Sequence, residues 1–281
     1  VAQTQDLPAA PPQPFDAWLA ELRTEALTRG IRPEVLDAAF ADVAPVEQIL
    51  ERDRTQAEFA LDLTAYLKRR LTRRTVQTAQ QMHTQYHDLL RAVGLKYGVQ
   101  PRIITAVWGL ESNFGRFAGV RPTIPALATL AYDPRRATLF RNELFSALEI
   151  VNRGDIELER LKGSWAGALG QPQFMPSTYL EFAQDFDGDG RRDIWTSQGD
   201  VFASVAHYLK EHGWSASGTW GREVKISKAA KAKLDALPHR TEGCRAERAL
   251  TTPLPLKEWT KLGVRTTAGA ALPAGAIDAS I

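Results

Sequence analysis

The sequence is poor in cysteine and contains no long apolar run. Its single cysteine, Cys244, excludes an intrachain disulfide and a cysteine metal cluster. No apolar stretch approaches the roughly 18 residues that a membrane-spanning helix needs. Cations and anions nearly balance, at 35 and 33, so the net charge of +2 does not by itself indicate a nucleic-acid partner. The 281 residues, 44% hydrophobic and 24% charged, are typical of a globular protein with one large domain or two.

The N-terminus also lacks the charged and apolar segments of a signal peptide. Residues 9–14 read Ala-Ala-Pro-Pro-Gln-Pro, which is typical of an extended linker, and we assign residues 1–14 to a flexible linker. An exported protein whose signal has been removed begins in this way, and so does an expressed fragment.

Strand patterns are few, so we predict a mainly α protein without internal repeats. Residues 15–98 form an N-terminal helical region, residues 99–215 a core, and residues 216–281 a C-terminal region of different composition. Residues 66–74 carry five cations in nine positions. Such runs are usually solvated helix faces, and an anionic polymer partner is the more specific alternative.

The stretch at residues 101–115 predicts a helix with one acidic side chain on its apolar face. Pro101 suits the first turn, and Asn113 and Gly115 tolerate the left-handed conformation that ends a helix. Trp108 and Glu111 follow at helical spacing, so we expect Glu111 on the buried side, near the C-terminal end. Burial and the negative end of the helix dipole both raise the pKa of a carboxyl group. A group that stays protonated in this way can act as a general acid, whereas a structural ion pair is the alternative.

An acidic loop starting at Asp185 matches the beginning of an EF-hand. Acidic residues occupy positions 1, 3 and 5, glycine occupies position 6, and the residue at position 7 would contribute its carbonyl. The usual glutamate at position 12 is replaced by Thr196, and we expect Asp200 to complete the shell. The predicted ligands of a structural Ca²⁺ are Asp185, Asp187, Asp189, Arg191 through its carbonyl, and Asp200. An acidic surface turn is the alternative.

Several motifs occur together and in a fixed order. They are Gly-Leu-Glu-Ser-Asn-Phe-Gly-Arg at 109–116, Ala-Leu-Ala-Thr-Leu-Ala at 126–131, Pro-Arg-Arg-Ala at 134–137, Leu-Lys-Gly-Ser-Trp-Ala-Gly at 161–167, Gln-Phe-Met-Pro-Ser at 173–177, Asp-Gly-Asp-Gly at 187–190 and His-Gly-Trp at 212–214. In this combination the sequence resembles the lytic murein transglycosylase B family, from about residue 15 to residue 215.

The resemblance implies a lysozyme-like helical core with an EF-hand-like metal loop, and the change in composition predicts a small, partly irregular C-terminal region after it. It implies cleavage of the β-1,4 bond between N-acetylmuramic acid and N-acetylglucosamine in peptidoglycan, with Glu111 as the one catalytic residue. The substrate-binding positions that it implies are Ser164, Gln173, Arg135, Arg136, Tyr208 and Tyr66. We therefore expect a monomeric periplasmic enzyme whose partner is the glycan strand, with outer-membrane association left open.

The mechanism that follows uses one carboxyl group. Glu111 protonates the leaving oxygen, the acetamido group of the muramoyl sugar assists, and Glu111 then takes the proton of the 6-hydroxyl to close a 1,6-anhydro ring. A hydrolytic muramidase on the same fold and a non-catalytic peptidoglycan-binding scaffold are the alternatives. The chain departs from the family after residue 262, where we find no cleft-lining Asn and Tyr residues, so this region is either truncated or diverged.

Overall fold

The computed structural model describes residues 13–54, 63–216, 221–242, 245–275 and 277–281. Cys244 and most of the predicted linker lie outside these residues. The chain divides into two compact units between Ala216 and Ser217, one residue from the boundary that composition predicts. The predicted N-terminal helical region and core belong to one of these units. No helix among the described residues is long and apolar enough to cross a membrane.

The first unit is mainly helical. Its helices are α1 (Phe15–Thr28), α2 (Pro33–Phe40), α3 (Glu47–Arg54), α4 (Leu63–Arg70), α5 (Arg73–Gln85), α6 (His87–Tyr97), α7 (Pro101–Ser112), α8 (Thr123–Tyr132), α9 (Ala137–Arg153), α10 (Pro176–Phe182) and α11 (Gln198–Glu211). Two short strands, β1 (Arg121–Pro122) and β2 (Lys162–Gly163), pair antiparallel with Arg121 opposite Gly163. A 3₁₀ turn at Leu158–Arg160 precedes β2.

Two hydrophobic cores hold this unit together. One surrounds α8 and α9, where α8 is buried on almost every side from Thr123 to Ala131 because its sequence is apolar all round. The other joins α6, α7 and α11, with Trp108 in edge contact with Phe202 at 5.1 Å between ring centroids. The second core therefore fixes α7, the helix that carries Glu111.

The second unit is a small mixed fold. Its helices are α12 (Lys228–Leu234), α13 (Arg245–Arg248) and α14 (Leu256–Lys261), and its strands are β3 (Val224–Ile226), β4 (Leu254–Pro255), β5 (Val264–Thr266) and β6 (Asp278–Ala279). β3 pairs with β5 and β4 with β6, both antiparallel. Trp259 is buried at its centre and donates its indole N–H to the carbonyl of Ala279 at 2.9 Å.

A buried amide joins α7 to the glycine-rich segment that follows β2. Gln171, only 4% exposed, accepts a hydrogen bond from Trp108 Nε1 at 2.6 Å and donates one to the carbonyl of Trp195 at 2.8 Å. Gly115 packs against the same side chain, since a Cβ there would lie 2.5 Å from Gln171 Oε1. The amide of Gln171 therefore helps to hold the end of α7 in place.

Replacing Gln171 with alanine should lower the free energy of unfolding by about 1–3 kcal/mol, because the buried indole N–H of Trp108 loses its acceptor. Denaturant unfolding followed by tryptophan fluorescence measures the change. The matched control is Gln80→Ala at an exposed position of α5, which should stay within about 0.5 kcal/mol of the wild type. Equal losses in the two variants would contradict the role given to Gln171.

Candidate active site

Helix α7 ends as predicted, immediately after Glu111. Asn113 and Phe114 both adopt positive φ angles, at 50° and 60°, and Gly115 continues at 79°. Ser112 stabilises this turn, since its hydroxyl donates to the carbonyl of Trp108 and accepts from the N–H of Gly115 at 3.0 Å. Glu111 is thus carried by a rigid helix end rather than by a loop.

The prediction that Glu111 is buried is wrong, because its side chain is exposed. The buried stripe of α7 runs through Ile104, Trp108 and Ser112, which are four residues apart. At 3.6 residues per turn, Glu111 lies beside this stripe rather than on it. The carboxyl group of Glu111 is therefore open to solvent in the unliganded protein.

Glu111 instead lines an open cleft between α7 and the helices before it. The lining residues are Arg69 and Arg70 of α4, Thr75 of α5, Gly109, Leu110 and Glu111 of α7, and Asn113 and Phe117 of the loop that follows. Arg70 donates to the carbonyl of Leu110 and so holds α4 against α7. Among the described residues that line this cleft, Glu111 is the only carboxylate.

Phe117 is a cleft residue that sequence analysis missed. Its side chain is 65% exposed, which is unusual for phenylalanine, and it lies on the same cleft as Glu111. An exposed aromatic ring offers a flat apolar face to a sugar. Its place next to the motif at residues 109–116 was the available signal.

Ser164 and Gln173 lie in the irregular segment that begins at β2. The hydroxyl of Ser164 accepts hydrogen bonds from the N–H groups of Ala166 at 3.3 Å and Ala168 at 3.1 Å, which directs its own proton away from this turn. Gln173 has a positive φ of 55° and donates its amide to the carbonyl of Gly170 at 2.8 Å. Both side chains are half-buried and have fixed backbone positions.

The two predicted cleft tyrosines have different surroundings. Tyr208 is half-buried on α11, stacked on His212 at 4.1 Å between ring centroids and in contact with Phe182. Tyr66 is 38% exposed on α4, the helix that also carries the cleft residues Arg69 and Arg70. Contact of either ring with substrate stays a prediction.

Arg135 and Arg136 both pair with Asp53. Arg135 donates a hydrogen bond to one oxygen of this carboxylate, Arg136 forms an ion pair with the other, and Arg135 also bonds to Asp133 at 3.3 Å. The side chain of Asp53 is only 4% exposed, whereas those of the arginines are 47% and 41% exposed. This geometry supports the alternative that the arginines stabilise the fold, while their contact with substrate stays a prediction.

The acidic loop brings together three of its predicted ligands. Oxygens of Asp185, Asp187 and Asp200 all lie within 4.8 Å of one another. Ligand oxygens on opposite sides of a Ca²⁺ ion are separated by up to about 5 Å, because each Ca–O bond is about 2.3–2.6 Å long. The three carboxylates therefore fit a calcium ion between them.

Asp200 is the buried member of this group. Burial raises the pKa of its carboxyl group to about 6, the backbone N–H groups of Phe186 and Asp193 oppose this, and the charges of Asp187 and Asp185 add to the rise. Such a carboxylate is stabilised by a cation. Asp189, in contrast, is exposed and accepts from the N–H of Arg191 at 2.8 Å, so the roles of these two residues stay predictions.

The mainly helical first unit, with a cleft that presents one acidic side chain among its described residues, is of the kind found in lysozyme-like folds. The family model described as Transglycosylase SLT domain matches residues 14–281. The chain therefore belongs to that family.

Membrane-bound lytic murein transglycosylase B of Escherichia coli (strain K12) is 42% identical over 150 residues, which is 53% of this chain. The matched part spans 41% of the length of that relative. SltB3 from Pseudomonas aeruginosa, solved in complex with NAG-NAM-pentapeptide, is 38% identical with a TM-score of 0.83, covering 95% of this chain and 68% of SltB3. Slt35 of Escherichia coli, solved in complex with calcium, is 28% identical with a TM-score of 0.75, covering 94% and 78%.

Replacing Arg136 with alanine should lower the free energy of unfolding by about 1 kcal/mol, because Asp53 keeps one guanidinium partner. Replacing both arginines should cost about 2–3 kcal/mol, since the buried carboxylate then loses both. Arg153→Ala is the control, because the exposed pair of Arg153 with Glu149 should contribute less than about 1 kcal/mol. Denaturant unfolding and specific activity are measured on the same preparations. Normal stability with lost activity would place Arg135 and Arg136 in substrate binding instead.

Proposed function

We propose that the protein is a lytic transglycosylase that cleaves the glycan strands of peptidoglycan. The observation that carries this proposal is the position of Glu111, at the rigid end of α7 and on an open cleft, in a chain matched by the family model over residues 14–281. SltB3, which is solved with NAG-NAM-pentapeptide, covers most of the chain. We infer the same substrate class here, the strand built of N-acetylglucosamine and N-acetylmuramic acid.

The chemistry requires one group that gives and then accepts a proton. Glu111 protonates the glycosidic oxygen as the bond to C1 of the muramoyl sugar breaks, and the acetamido oxygen of the same sugar closes on C1. The 6-hydroxyl then attacks C1, its proton passes to Glu111, and the acetamido group is released. No water is consumed, and the product ends in a 1,6-anhydro ring.

The cleft suits this mechanism because it presents no second acidic side chain among its described residues. Glycosidases that use two carboxylates need the second one as nucleophile or base. Ser164 would donate its hydroxyl proton to the acetamido group or to Glu111, since its acceptor sites are already used by two backbone amides. A bound strand would cover the cleft, and removal from water favours the protonated form of a carboxyl group.

Replacing Glu111 with glutamine should abolish the release of anhydro-muropeptides from purified sacculi, because an amide can neither give nor accept the proton. Binding to sacculi and the melting temperature should remain close to those of the wild type, since the side chain is exposed. Glu157→Gln makes the same change at another exposed position and should keep full activity. Anhydro products from Glu111→Gln at a substantial rate would contradict the mechanism.

We propose further that the loop of Asp185, Asp187 and Asp200 holds a structural calcium ion. The convergence of their oxygens supports this, and Slt35 is a relative solved with calcium. The buried carboxylate of Asp200 already bonds to the N–H groups of Phe186 and Asp193, both at 2.7 Å, so an ion there would fix the loop against α11. The ion would stabilise the fold and take no part in the reaction.

Asp187→Ala should lower the melting temperature in calcium and change it little in chelator, because a ligand of the folded state stabilises it by mass action. Asp42→Ala, at an exposed position outside the loop, is the control. Its effect on the melting temperature should be the same in calcium and in chelator. Differential scanning calorimetry gives both values. Equal melting temperatures for the wild type with and without calcium would rule out the ion.

The relative from Escherichia coli is named as membrane-bound, and the proposed substrate lies outside the cytoplasmic membrane. We therefore place the protein in the periplasm, after export and removal of a signal. Fractionation of cells that express the full gene tests this proposal.

A further inference from the structure

Four arginines line the cleft that contains Glu111 or a second cleft beside it. Arg69 and Arg70 line the cleft itself, while Arg74 and Arg116 line a second cleft that adjoins it. The two clefts share Thr75 and Asn113, and we refer to the pair of clefts as the basic depression. All four arginines are exposed.

The turn between α4 and α5 creates this arrangement. Thr72 caps α5, since its hydroxyl accepts from the N–H of Thr75 at 3.1 Å. Arg69, in the last turn of α4, and Arg74, in the first turn of α5, are thus separated by one short turn and line the two adjoining clefts. Arg116 reaches the second cleft from the loop after α7.

Three of these guanidinium groups are available to a ligand. Arg70 is used to hold α7, but Arg69, Arg74 and Arg116 form no side-chain hydrogen bond or ion pair with any residue that the structure describes. Elsewhere the arginines are commonly paired, as Arg192 is with Asp155. Among the described residues that line the two clefts, Glu111 is the only acidic one.

We infer that Arg69, Arg74 and Arg116 bind the carboxylates of the stem peptides on the strand that is cleaved at Glu111. This inference rests on the proposed function and adds to it the residues that recognise the acidic stems. A guanidinium holds a carboxylate with two parallel hydrogen bonds, which lysine cannot do. Arg135 and Arg136, which the resemblance assigns to substrate binding, already share the carboxylate of Asp53.

The test compares two substrates of equal size. One is the peptide-bearing strand with free stem carboxylates, and the other is the same strand after conversion of these carboxylates to amides. The wild type should cleave the acidic strand with a kcat/KM on the order of 10-fold higher, as charge-assisted hydrogen bonds provide. Higher salt should reduce this preference, because exposed charges are screened.

The double variant Arg74→Gln, Arg116→Gln should lose most of the preference, chiefly through a lower kcat/KM on the acidic strand, and each single variant should lose part of it. Arg102→Gln is the matched control. Arg102 is an exposed arginine of the same helix as Glu111, nine residues earlier and roughly 13 Å away along the axis. It should keep the preference of the wild type.

Equal values of kcat/KM for the wild type on both substrates would overturn the inference. A double variant whose kcat/KM falls by the same factor on both substrates would overturn it as well. The comparison of substrates with the wild type decides the question even if a variant is unstable. Failure of the wild type to release anhydro products from either strand would instead refute the proposed function.

Discussion

The hydrogen bond between the indole of Trp108 and the amide of Gln171 is the contact on which the geometry of the site depends. Its 2.6 Å length and its burial make it costly to break, because neither group can form a hydrogen bond with water instead. The same amide reaches Trp195 and leaves no room for a side chain at Gly115. One residue thereby fixes the end of α7, the turn behind it and the irregular segment that carries Ser164 and Gln173.

This fixed frame leaves the carboxylate of Glu111 exposed to solvent. Glu111 lies beside the buried stripe of α7, so the protein positions it without shielding it from water. In this account the bound strand shields the carboxylate of Glu111 from water, and the end of α7 orients it. The basic depression next to Glu111 then links recognition of the strand to cleavage, because a strand held by its stems covers the carboxylate.

The acidic loop and the cleft of Glu111 are connected through α11 and α7. Asp200 lies in the first turn of α11, whose buried face packs with α6 and α7 in the second core. Fixing the loop against α11 therefore also stabilises the packing behind Trp108. An ion bound as proposed would thus support the site without taking part in the reaction.

Local features of the site were predictable from the sequence, and distant contacts were not. Pro101 and Asn113 mark the ends of α7, and the spacing of Asp185, Asp187 and Asp200 anticipates a cluster, because both depend on short-range geometry. The side of α7 that is buried depends on which helices pack against it, and periodicity alone misplaces Glu111.

The pairing of Arg135 with Asp53 spans 82 residues, and that of Trp108 with Gln171 spans 63. No local pattern reports such contacts. The basic run at residues 66–74 was visible as a charged segment, but its position beside Glu111 required the fold.

Cleavage of purified sacculi in heavy-oxygen water tests the central claim most directly, since it asks whether water takes part at all. The account predicts that the wild type releases muropeptides that lack one water relative to the hydrolysis product and carry no heavy oxygen at C1 of the muramoyl end. Products with one heavy oxygen at that carbon would show hydrolysis and contradict the account.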